Sequence, residues 1–371
     1  MDFALSPAQR DLADAARRYL ARQYPPARIA ALAGGPGGSE AGSWPELTRQ
    51  GWLDDDLGLV ELCLLAQESG YALHPTPWWS TVALAAPVYR AAGDKGADGP
   101  ATAALRAGPG PTARGAGLDW TLTGTARRVP DAQPAVEIVV RADTGAGPAL
   151  FAVATDGPGV ALTALAGIDP LRPLSDVDFT AAGARLLVPP GTAAAVLAGG
   201  YRQAAVLLAA EAVGVAARTL DLAVAYAGQR SQFGRPIGSY QAVAHPLADG
   251  YAQTELARSL VYRAAWLAGT ANLAGTADGG DPGGGAELAR AVAAALIAAR
   301  QAALGCAETA IQTAGGMGVT WEYPLHHWYR RALWCQAYDG LGGDPYATIA
   351  DSLLGPADTV EAPSPRPGGA P

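Results

Sequence analysis

The sequence predicts a mainly helical α+β protein in three parts. These are an N-terminal helical domain over 1–104, a small antiparallel β domain over 105–194 and a C-terminal four-helix-bundle domain over 195–355. Three observations carry this. Apolar residues recur at helical spacing through the first hundred positions. Between about 105 and 190 they fall into short runs broken by Gly, Pro and Asp, as in strands joined by tight turns. Beyond about 195, long alanine-rich stretches return.

Ser6-Pro7-Ala8-Gln9 is a helix start: a serine cap, proline at the first helical position and glutamine three residues past the cap. Leu12, Ala15, Ala16, Tyr19 and Leu20 continue it as one apolar face. Further helices are expected over Leu47–Trp52 and Leu57–Tyr71, and His74-Pro75-Thr76-Pro77 ends the run because proline lacks the amide donor. Strands are expected at Trp120, Val136–Val140 and Ala149–Ala154, with Leu186–Val188 and then Pro189-Pro190-Gly191 closing the segment. Long helices are expected over Tyr201–Gln229, Ala244–Ala268 (with Pro246 near its start) and Ala286–Thr313. Thr270–Gly285 is expected to be a mobile loop, and 356–371 a disordered Pro/Gly-rich tail.

With 371 residues, half of them hydrophobic and 16% charged, the chain can bury a sizeable core. A net charge of −8 argues against nucleic acid or an anionic membrane as the main partner, although a local arginine cluster can still hold an anion. Cys63, Cys306 and Cys335 are widely spaced and read as reduced, buried thiols of a cytoplasmic protein. Four histidines without clustered spacing argue against a metal site. Met-Asp-Phe-Ala reaches charge quickly, so no signal peptide is expected, and the apolar stretch Ala204–Ala217, interrupted by Glu211, is too short for a bilayer.

Two motifs carry chemistry. The first is Arg230-x-x-Phe233-Gly234-x-Pro236-Ile237-Gly238-x-x-Gln241. Its guanidinium is a planar fork suited to a diphosphate, its glycines allow a sharp turn and a close ligand approach, and Phe233 offers an aromatic face. The second runs from Gln312 through Gly315-Gly316-Met317-Gly318, where exposed amides between two helices form an anion-binding concavity. It continues through Glu322-Tyr323-Pro324 and Arg330-Arg331 to Tyr338-Asp339-Gly340.

In these motifs and their spacing the chain resembles the acyl-CoA dehydrogenase family, strongly over about 205–340. The resemblance implies FAD as cofactor. Arg230, Phe233 and Gln241 would contact it, while Gln312, Ala314, Gly315 and Gly316 would reach the flavin of a neighbouring subunit. It implies an acyl thioester substrate, on CoA or a carrier protein, with Tyr201 and Arg202 toward the acyl carrier. Asp339 falls where most of the family has the glutamate that removes the α proton, while flavin N5 takes the β hydride. It further implies a homodimer, a homotetramer or a heteromer with a related chain, and an electron-transfer flavoprotein as acceptor.

The chain departs from the family's pattern at four places. Leu341-Gly342-Gly343 replaces a Thr-x-Gln/Glu turn, and 101–116 offers only small, apolar and proline residues with two arginines. Gly51-Trp52-Leu53 passes directly into Asp54-Asp55-Asp56 where a Pro-Glu-x-x-Gly-Gly loop is usual, and Arg331 stands where aspartate is common. Three readings stay open: an active dehydrogenase, a half-site subunit that completes a flavin site on an unlike chain, and a cofactor-free helical scaffold.

Overall fold

The computed structural model describes residues 4–35, 40–117, 119–273 and 282–355. The expected tail 356–371 and residues 274–281 of the expected loop lie outside the described residues.

Helices α1 (Pro7–Gln23), α2 (Pro26–Ala33), α3 (Trp44–Arg49), α4 (Leu59–Ala72), α5 (Trp78–Ser80) and α6 (Ala86–Ala92) form the N-terminal layer. The Ser6 cap is complete: its hydroxyl accepts from Gln9 N–H, and the Gln9 side chain accepts from Ser6 N–H. Ser6→Ala should therefore lower the stability of this layer by about 1 kcal/mol, read from urea unfolding. Trp52 and Trp78 anchor the layer edge to face, and Trp78 Nε1 donates to the Trp52 carbonyl at 3.0 Å.

The middle region holds β1 (Ala101–Ala104), β2 (Thr112–Ala116), β3 (Asp119–Pro130), β4 (Glu137–Thr144), β5 (Gly147–Ala154), β6 (Val160–Leu165) and β7 (Leu174–Val188). Strands β4, β2, β3, β7 and β5 close into a ring, since β5 pairs with both β7 and β4. The pairing is antiparallel except where β4 meets β1 and β2, so the expected antiparallel sheet is corrected there to a mixed one. The sheet also opens at Ala101, ahead of 105. The ring encloses its own core, with Leu122, Ile138, Val140, Phe151 and Val177 buried. A register shift between Ala126 and Val129 is a bulge at Arg127–Arg128, and Arg128 takes φ +54°. A bulge re-aims side chains, and this one turns Arg128 out of the ladder toward the helices.

The chain then enters α7 (Ala193–Gln229), the hairpin β8 (Ser231–Gln232) and β9 (Arg235–Pro236), α8 (Gln241–Leu273), α9 (Pro282–Ala314), α10 (Leu325–Ala337) and α11 (Pro345–Leu354). Helix α8 begins at Gln241 and carries Pro246 inside it, so its start lies three residues ahead of the expected Ala244. Helix α7 is the spine. From Ala204 to Ala216 every residue is buried, against α4 on one side and α9 on the other. Gly70 on α4 and Gly214 on α7 make the first crossing possible. A Cβ on either would overlap a backbone carbonyl of the opposite helix, that of Glu211 or Gln67. The stretch Gly284–Val319 is long and apolar enough to cross a membrane, but half of its most apolar 18-residue window is buried in this bundle.

Candidate functional site: a bolted cleft and an open half-site

The Asp339 end of the molecule is built by α10, α7 and the β ring. Tyr338 stacks on Trp334 with ring centroids 4.9 Å apart and meets Trp79 edge to face at 5.5 Å. Arg300 on α9 fixes the turn by donating to the carbonyls of Cys335 at 2.8 Å and Tyr338 at 2.7 Å. Gly342, at φ +74°, lies flat on the Tyr201 ring, where any Cβ would overlap it. The Tyr201 hydroxyl donates to the Leu105 carbonyl, which ties the β1–β2 connection to α7.

That tether positions Arg106 on the Asp339 carboxylate, and the bulged Arg128 reaches the other oxygen at 3.3 Å. Burial and the nearby Arg128 cation pull Arg106 below the ordinary arginine value. Asp176 holds the bulge, accepting from Arg128 N–H at 2.9 Å and from Arg127 at 2.8 Å. The cavity between Leu84, Arg106, Arg128, Tyr338 and Gly340 measures only about 10 Å³. Ligand pockets run to roughly 300–1,000 Å³. Asp339 follows α10, with both oxygens taken by guanidinium groups and half of its side chain exposed. Tyr201 is committed to Leu105 and Gly342, and Arg202 follows it on α7, near Gly199.

Beneath this cleft lies a charge cluster. Arg331 pairs with Asp169 and with Glu211 (2.5 Å), and Arg172 pairs with Glu211 at 2.8 Å. The Arg172 guanidinium lies 5.1 Å from the centre of the Trp79 ring and 4.9 Å from that of Trp334. All four charged residues are at most 2% exposed. Glu211, inside α7, is tied to both guanidinium groups. Asp169 and Arg172 carried no signal in the sequence, whereas Arg331 stood out as a cation where aspartate is common.

The other motif lies at the far end of α7. Arg230 caps that helix, and the hairpin turns through Phe233 at φ +51° and Gly234 at φ +81°. Phe233 is 93% exposed. Ala314 closes α9, Gly315 follows at φ +61°, and a Cβ on Gly315 or Gly316 would meet open space. Arg230, Ala314, Gly315 and Gly316 share a trough of about 420 Å³ with Tyr226 and Ile237. Gln312 lines an adjoining trough of about 450 Å³ across Thr313, and Gln241 opens α8 beside it. An exposed guanidinium, two glycines with open space beside them and an aromatic face make a surface suited to the phosphates and base of a dinucleotide.

The two regions cannot share one ligand on one chain. Tyr201 and Arg230 lie 29 residues apart on a single helix, which at 1.5 Å per residue is roughly 44 Å, longer than an extended dinucleotide.

The family model for the acyl-CoA dehydrogenase C-terminal domain matches residues 195–354. Acyl-CoA dehydrogenase FadE27 of Mycobacterium tuberculosis is 33% identical over 305 residues, covering 78% of this chain and 79% of FadE27. The chain belongs to the acyl-CoA dehydrogenase family. The family is one of oxidoreductases, and this member is 38% identical to acyl-CoA dehydrogenase FadE34 of the same organism over 176 residues. Those cover 47% of the chain but only 22% of FadE34. Among solved structures, a chain of the ChsE4-ChsE5 complex from Mycobacterium tuberculosis superposes with a TM-score of 0.79 at 27% identity, covering 96% of this acyl-CoA dehydrogenase family member and 100% of that chain. Among the described residues no cluster of His, Cys, Asp or Glu could hold a metal.

Proposed function

We propose that this chain is the half-site subunit of an FAD-dependent acyl-thioester dehydrogenase built from two unlike chains. One observation carries the reading. The cofactor half-site of Arg230, Phe233, Gln241, Gln312, Ala314, Gly315 and Gly316 faces outward, while the chain's own cleft is bolted by Arg106–Asp339–Arg128. Arg230 lies roughly 44 Å along α7 from Tyr201 at the Asp339 end, so a flavin held at the half-site would serve the cleft of a neighbour. A second identical copy would offer only another bolted cleft. An unlike chain with an open cleft resolves this, and the complex named for two chains, ChsE4-ChsE5, supports it as a relative in which two different chains assemble.

In this assembly bound FAD would supply a hydride acceptor for the β carbon of the acyl thioester, and the unlike chain would supply the carboxylate for the α proton. This chain's residues bind and orient. Arg230 would neutralise the diphosphate, the side-chain-free Gly315 and Gly316 would let it approach closely, and Phe233 and Gln241 would hold the adenosine half. Asp339 acts as the anion that closes the unused cleft. The acyl carrier, CoA or carrier protein, meets the unlike chain, and an electron-transfer flavoprotein collects the electrons.

The test is flavin stoichiometry together with Asp339→Ala. The chain alone should purify colourless. Co-purified with its unlike partner, it should carry one FAD per two chains, and Asp339→Ala should leave bleaching by a saturated acyl-CoA within about twofold of the parent. A yellow chain that bleaches alone, and stops doing so as Asp339→Ala, would establish Asp339 as the base and overturn the half-site reading.

A further inference from the structure

The junction between the β ring and the helices is held by five buried charged groups and one buried hydroxyl. Ser80 comes from α5, and Asp131 lies just past β3. Asp169 and Arg172 lie in the β6–β7 connection, Glu211 on α7 and Arg331 on α10. Each is at most 2% exposed. The count is uneven: three carboxylates (Asp131, Asp169, Glu211) face two guanidinium groups (Arg172, Arg331). Other titratable neighbours cannot supply the missing positive charge. Burial, with Arg172 and Arg331 close by, lowers His74 to about 3. Burial, with His326 and Arg330, lowers His327 to about 4. Burial raises both the Cys335 thiol and the Tyr338 phenol, so they stay neutral.

An unbalanced buried charge is strongly unfavourable, and a group in that position takes up a proton instead. Geometry identifies which one. Asp169 and Glu211 both make direct bonds to guanidinium nitrogens. Asp131 is 3.9 Å from Arg172, accepts only from Ser80 Oγ at 2.6 Å, and its Oδ1 has no partner.

We propose that Asp131 carries a buried proton as a working part of this junction, so that the β ring is clamped to the helices more tightly in acid than in alkali. The inference does not depend on which chain holds the flavin. Desolvation, opposed by Arg172, Ser80 and Arg331, raises the Asp131 carboxyl to about 6. The sign follows. Between the ordinary aspartate value and about 6 the folded chain binds the proton and the unfolded chain does not, so stability falls as pH rises through that window and is flat above it.

The experiment compares the full-length parent with Asp131→Asn by urea unfolding from pH 4.5 to 7.5. Relative to the variant, the parent's folding equilibrium should weaken about thirtyfold across that range, since each pH unit below the folded value counts tenfold. Parallel pH profiles for the two proteins would overturn the proposal. Ser80→Ala gives a second reading if Asp131→Asn folds poorly. Loss of its bond to the ionised carboxylate should move the transition to higher pH, and an unmoved transition would count against a proton on Asp131.

Discussion

Arg230→Glu should strip the flavin from the assembled enzyme while leaving the two chains associated. A guanidinium fork on a diphosphate makes charge-assisted hydrogen bonds, worth about 1.5–3 kcal/mol when lost. Reversing the charge adds repulsion, so FAD retention should fall by about two orders of magnitude. Absorbance of the purified complex reads this directly, and size-exclusion chromatography reports whether assembly survives. Arg230 is exposed at the end of α7, and its two backbone bonds, N–H to the Tyr226 carbonyl and its own carbonyl from Ile237 N–H, do not involve the side chain, so the fold should survive the change. Unchanged flavin content would remove Arg230 from the cofactor surface.

Gly214→Ala should be the most damaging single-methyl change in the bundle. The added carbon would meet the Gln67 carbonyl of α4, an obstacle of backbone that cannot rotate aside. Overpacking usually costs about 1–3 kcal/mol, and the upper end or beyond is expected where both helices must separate. The same crossing seats Glu211 against Gly70, so the ionic cluster would shift with it. Gly228→Ala on the same helix is the control, because its Cβ would meet nothing within 4 Å. It should be neutral or stabilise by up to about 1 kcal/mol. Urea unfolding of the pair distinguishes a steric contact from a general intolerance of alanine in α7.

The local shape of the two motifs was legible because their parts are close in sequence. Arg230, Phe233 and Gly234 lie within five residues, and a hairpin brings them together whatever surrounds it. Gln312 to Gly316 lie on one helix end, so their spacing alone foretold the turn. The bolted cleft was not legible. Asp339 meets Arg106 and Arg128 across 233 and 211 residues, and no periodic pattern records such a pairing. Arg128 points there only because a bulge displaces it, and the two arginines of 101–116 gave no sign that one would cap a carboxylate. The start of α8 was misplaced for a similar reason. Proline inside a helix reads as a boundary, yet packing against α7 and α9 carries the helix through Pro246.

Helix α7 also sets what mutation can do to the chain over time. The Tyr201 contacts lie toward one end of it and Arg230 at the other, separated by a spine of small buried residues, so the two ends share no direct contact through which a change could pass. After duplication of an ancestral gene, one copy could let its reactive extremity decay while still serving the sister copy with the intact one. The two products would then be unable to work apart.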